Sequence, residues 1–67
     1  MAVLKVIELL SSSEKSWEDA VKNAVKTAGN TVKGIRSVYV KEQSASVKDN
    51  EVVEFRVTVK ISFDIIK

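Results

Sequence analysis

Val53-Glu54-Phe55-Arg56-Val57-Thr58-Val59-Lys60-Ile61-Ser62-Phe63-Asp64-Ile65 decides the fold. Apolar residues hold every odd position of this stretch, and polar ones hold every even position. A period of two belongs to a strand with one buried and one polar face. Thirteen residues at ~3.3 Å each span about 43 Å. The strand before it, Ile35 to Val47, alternates more weakly, and Lys48-Asp49-Asn50-Glu51 between them is rich in residues that tolerate tight turns. The two strands form a hairpin.

Upstream, Val3 to Leu10 reads as a first strand with apolar residues on both faces, interrupted only by Lys5 and Glu8. Ser11 to Lys15 reads as a polar turn. Ser16 has the place of a helix N-cap, and Asp19 three residues on imitates the acid of a capping box. Glu18 and Asp19 suit the positive end of the helix dipole. Trp17, Ala20, Val21, Ala24, Val25, Ala28 and Val32 then recur at spacings of three and four, drawing one apolar stripe. Gly34 is placed to close that helix as its C′ residue. The fold class is α+β, with element order β-α-β-β and a three-stranded antiparallel sheet partly wrapping one helix. The first strand must pair with one of the other two. A helix of 17 residues covers only about 25 Å, so part of the hairpin, expected around Phe63 and Ile65, needs cover from another chain.

Size points the same way. The chain has 67 residues, enough for a single domain over 1–67. Chains this short bury only about 60% of their unfolded surface, and those that stay folded usually add disulfides, metals or oligomerisation. Cysteine and histidine are both absent, which removes disulfides, zinc-type sites and the commonest general base. A metal would need oxygen ligands, as calcium and magnesium do. Ser11-Ser12-Ser13 has no histidine to activate it, so no enzyme is expected. The formal charge of +2 comes from scattered basic residues, so no nucleic-acid partner is implied. No apolar run approaches the ~20 residues of a membrane span, and Met1-Ala2-Val3-Leu4-Lys5 lacks the pattern of a signal peptide. The expectation is a cytoplasmic protein without membrane contact. Trp17 reads as a packing residue, and Glu14, Glu18, Asp19 and Asp64 as caps and surface charges.

The whole chain resembles the dodecins. Lys5-Val6-Ile7-Glu8 before a serine-rich segment is similar to the family's first strand. Ser16-Trp17-Glu18-Asp19-Ala20-Val21 is similar to its helix start, and Thr31-Val32-Lys33-Gly34-Ile35 to its helix exit. Val53 to Phe63 is similar to its last strand. The resemblance implies a homododecameric hollow shell that stores or sequesters a small ligand, in many members stacked pairs of a flavin such as FMN or riboflavin. It also implies where that ligand sits. Ser37 stands where flavin-binding members carry the tryptophan that sandwiches the ring. Arg56 stands where they carry a glutamine for the ring's polar edge, and Ser44 where bacterial members often carry a basic residue. Ser37 has no π face, so stacking should be weakened or lost by roughly 1 kcal/mol or more per ring. A subgroup without this tryptophan is associated with calcium, and Ile35-Arg36, Glu42-Gln43 and Arg56 resemble it. The resemblance assigns no metal ligands. The leading expectation is a dodecin-like shell holding a small ligand or ion. The alternatives are a flavin store with a rebuilt pocket and a structural assembly without specific ligand.

Overall fold

The computed structural model describes residues 3–65. Four elements follow in the order β1 (Leu4–Ser13), α1 (Trp17–Ala28), β2 (Ile35–Lys48) and β3 (Glu51–Asp64). The strands form one antiparallel sheet in the order β1-β3-β2, so the alternating strand takes the centre. This settles the partner of β1, which runs against β3 from Leu4↔Asp64 to Ser13↔Phe55. Asp49 and Asn50, at φ 53 and φ 66, make the hairpin turn. Two consecutive positive φ values are what a two-residue hairpin loop with the right twist requires, and Asp and Asn tolerate them. Lys48 and Glu51, expected in the turn, pair as the last rung of the ladder.

The core follows the odd positions of β3, but only at its middle. Val57, Val59 and Ile61 are buried, together with Ala20, Ala24 and Ala28 of the helix. Ile7 and Leu9 from β1, Val38 from β2 and Val21 and Val25 from α1 pack around them. The small alanine stripe lets the helix axis lie close to the sheet. Phe55 and Phe63 are half-buried, while Val53 and Ile65 at the ends are exposed. The uncovered part is therefore not confined to the Phe63 end: Val47, Val52 and Val53 by the turn are also exposed.

Two further boundaries differ from the sequence expectation. Helix α1 stops at Ala28 rather than running to Val32. Beyond it the ladder turns irregular: the Asn30 N–H donates to Thr27 O and the Thr31 N–H to Ala28 O, each three residues back at 3.1 Å, while the Val32 N–H reaches the same Ala28 O at 2.9 Å. Gly29 and Asn30 are poor helix formers, and their run outweighs the apolar spacing of Val32. Gly34, at φ 77, turns the chain into β2 instead of closing the helix. Strand β1, in turn, continues through Ser13 where a turn was expected. Two of its three serines bond the helix: Ser11 Oγ donates to Ala20 O at 2.8 Å and Ser13 Oγ to Asp19 Oδ2 at 2.6 Å. A hydroxyl whose hydrogen bond is made can lie against a core that an unpaired one could not.

Ser16 caps α1 as expected, its Oγ accepting from the Asp19 N–H at 2.9 Å. The Ser13 hydroxyl holds the Asp19 carboxyl below its usual value near 3.8, helped by Lys15, Asn23 and Lys22 and opposed by partial desolvation. A lowered folded-state pKa adds stability that is present above the unfolded value and lost as pH falls through the folded one. Asp19→Asn is thus expected to be less stable than the parent at neutral pH, and the gap should close as pH drops below about 3.8. Chemical denaturation at a series of pH values checks this. A gap unchanged down to about pH 2 would mean the Ser13–Asp19 bond does not discriminate the charged form.

Candidate ligand-binding face

Directly opposed residues of an antiparallel pair share a face. Phe55 and Val57 turn toward the helix, so Arg56 between them points to the other side of the sheet. Arg56 pairs with Ser12 on β1 and Ser44 on β2, giving a row Ser12–Arg56–Ser44 on the face away from α1. Ser37 pairs with Ser62, which pairs with Val6, forming a second row on that face. The three residues singled out from sequence therefore share one face. Within one chain they do not converge: Ser62 and Arg56 are six residues apart on β3, about 20 Å at ~3.3 Å per residue. Ser44 and Arg56 are brought together, and Ser37 stands at the other end.

Each has a defined local partner. Arg56 Nη1 donates to Ser46 Oγ at 3.0 Å, which fixes the half-buried guanidinium along the sheet. Ser37 and Ser62 share a hydrogen bond between their hydroxyls. Ser44 offers its backbone carbonyl to the Trp17 indole N–H at 2.8 Å. That bond, with an edge-on contact of Trp17 to Phe55 at 4.9 Å between ring centres, ties the helix start to both strands of the hairpin. Trp17 is thus a packing residue, as its place on the stripe suggested.

Sequence reading missed the neighbours. Ser46, Ser62 and Ser12 belong to the face only through strand register, which a single sequence does not reveal without the turn and its bulges. The register slips at Ile35/Ser37, Val40/Glu42 and Ser46/Val47. Beside Ser37, Arg36 Nη1 bonds both carboxylate oxygens of Asp64 at 3.1 and 3.0 Å. Lys41, at the second slip, reaches Glu8 across the sheet at 3.5 Å. Exposed pairs like these contribute about 0–1 kcal/mol; their interest is that they occupy Asp64 and Glu8.

That matters for metal. Calcium takes six to eight oxygens, several from carboxylates. Among the described residues no three Asp or Glu side chains come together. The described residues of one chain therefore offer no carboxylate cluster of the kind calcium takes. Nor is any helix among the described residues long and apolar enough to cross a membrane.

The apolar residues of this face are just as conspicuous. Leu4, Val6 and Leu10 on β1 and Tyr39 on β2 are 46%, 55%, 67% and 65% exposed. Among the described residues nothing covers them.

Comparison with known proteins bears on this architecture. A family model described as Dodecin matches residues 3–65. The calcium dodecin of Mycobacterium tuberculosis is 36% identical over 63 residues, covering 94% of this chain and 89% of that protein. Its crystal structure, described as that of a calcium-chelating antigen with a calcium-binding site, superposes with TM-score 0.84 at 34% identity over 97% of this chain and 93% of the other. A single-residue variant of the Thermus thermophilus dodecin superposes with TM-score 0.94 at 27% identity over 100% of both chains. The helix on a three-stranded β1-β3-β2 sheet and the match along its full described length have one common explanation: the chain belongs to the dodecin family.

Proposed function

We propose that the chain is the subunit of a closed homododecameric shell that binds and sequesters a small ligand or ion, with flavin stacking weakened. The observation that carries this reading is the uncovered apolar side of the sheet. Leu4, Val6, Leu10 and Tyr39 lie on the same face as Ser37, Ser44 and Arg56. Exposed patches of this kind mark interaction surfaces, and burial between copies makes up for the small core of one chain. A ligand site on that face then lies at a junction of subunits, where side chains too far apart in one copy meet those of the next. Ser37 supplies no aromatic surface there, which argues against a stacked flavin. The name of the M. tuberculosis relative favours an ion as the second reading, with carboxylates gathered from several copies.

The test is native mass spectrometry followed by titration. The expected mass is twelve times the 7.4 kDa of one chain. Riboflavin and FMN fluorescence should be quenched weakly, if at all, at low micromolar protein, and calorimetry with calcium should show a saturable signal. A monomeric mass defeats the shell. Strong flavin quenching restores the flavin store with a rebuilt pocket. Silence with both ligands leaves a structural assembly.

A further inference from the structure

The hairpin outruns the rest of the chain. Strand β1 ends where Ser13 pairs with Phe55, and the helix begins beside Phe55. Beyond that point β2 and β3 continue alone through Ser46↔Glu54, Val47↔Val52 and Lys48↔Glu51. The described residues measure 51 × 20 × 13 Å, against about 18 Å for a helix of this length at ~1.5 Å per residue. A two-stranded ribbon is marginal in water unless it packs on something. This one carries Val47, Val52 and Val53 at 63%, 52% and 45% exposure. The slip at Ser46/Val47 leaves Val53 without a rung of its own.

Along the β1 edge, beside the middle of β3, lies an open cavity of about 180 Å³ between α1 and β1, lined by Leu9, Leu10, Ser11, Asn23, Ala24 and Thr27. Its floor is apolar, and Leu10, Asn23 and Thr27 at its rim are exposed. A dry cavity of ~150 Å³ is enough to take a benzene, so this one accommodates one or two aliphatic side chains. Lys26 stands next to the rim on the helix, and Glu51 sits at the ribbon's tip. Among the described residues neither is in an ion pair.

We propose that the cavity between α1 and β1 of one copy receives the valines of the hairpin tip, Val52 foremost, of another copy, with Lys26 facing Glu51. The proposal rests on the self-assembly reading above and names its contact. Knob and hole are different patches, so the contact is heterologous, and a heterologous contact in a closed assembly runs around a ring.

The absence of cysteine makes the test direct. Val52→Cys and Thr27→Cys are combined in one chain and also made singly, then oxidised mildly after the native mass has been recorded. A disulfide forms only where Cα atoms approach within about 7 Å. The double variant should give covalent dimers and higher species on a non-reducing gel, because each copy is donor and acceptor at once. The single variants should stay monomeric there. Val52→Asp should lower the native mass while far-ultraviolet circular dichroism keeps the helix and strand signal. An oligomer whose double variant does not cross-link overturns this contact and leaves the shell standing. Equally strong cross-linking of Val52→Cys alone overturns it too, since tips would then meet tips. A parent protein monomeric by mass removes the assembly and this contact together.

Discussion

Ile61→Ala is expected to lower the unfolding free energy by about 3 kcal/mol. Ile61 is fully buried in the central strand, flanked by Ile7 on β1 and Val38 on β2. Removing its branched end leaves a hole under the alanine stripe of α1. The helix cannot follow it down, because Ala20, Ala24 and Ala28 already bring its backbone close to the sheet. Large-to-small changes at such sites cost about 2–5 kcal/mol, more when the surroundings cannot collapse. At ~0.05–0.15 kcal/mol per residue, a chain of this size has roughly 3–10 kcal/mol in all, so the loss takes a large share of it. Val53→Ala, on the same odd register of β3 but 45% exposed within one chain, should cost about 1 kcal/mol at most. Urea unfolding at one fixed protein concentration checks both, since association shifts the apparent stability. A loss below about 1 kcal/mol for Ile61→Ala would mean that the core is not organised around β3.

Most of this fold was legible in the sequence because its patterns were local. The alternation from Val53 to Ile65 needed only a count by two, and the helix start needed only Ser16 and Asp19. One error came where a distant partner overrode a local preference, the other where two local signals conflicted. Ser11 to Ser13 read as a turn by composition, yet two of those hydroxyls are bonded by α1 and the strand runs on. The helix end was misplaced because Val32 continued the spacing, while Gly29 and Asn30 ended the backbone ladder. The candidate face was legible in part. That Arg56 faces away from the helix follows from its even position. That it sits between Ser12 and Ser44, and that Arg36 holds Asp64, depends on strand order and on register slips that no local pattern encodes.

Ser37→Trp is expected to convert a weak flavin response into a strong one. Ser37 is exposed on the face away from the helix, and its hydroxyl bonds that of Ser62. An indole there takes a well-tolerated strand position, since aromatic residues favour strands. It also lies beside Val6 on the outer strand, in the same row as Ser62. One stacked aromatic face contributes about 0.5–1.5 kcal/mol beyond the apolar area it buries. Together the two should tighten riboflavin binding by at least about tenfold, since ~1.4 kcal/mol is a factor of ten. Quenching of riboflavin fluorescence reads this, because an electron-rich indole against the ring quenches it efficiently. Ser37→Leu separates the contributions: it adds apolar area without a π face, so it should improve binding less and leave the fluorescence of bound flavin largely intact. Arg56 is expected to limit the gain. Its guanidinium has donors only, whereas a flavin's polar edge presents both donors and acceptors. Arg56→Gln added to Ser37→Trp should therefore tighten binding again, while Arg56→Gln alone should do little. A parent protein that already quenches as strongly as Ser37→Trp would show that this face binds flavin without a tryptophan. An assembled Ser37→Trp protein that quenches nothing would place the limiting feature elsewhere on the face, with the Arg36–Asp64 pair beside it the first group to remove.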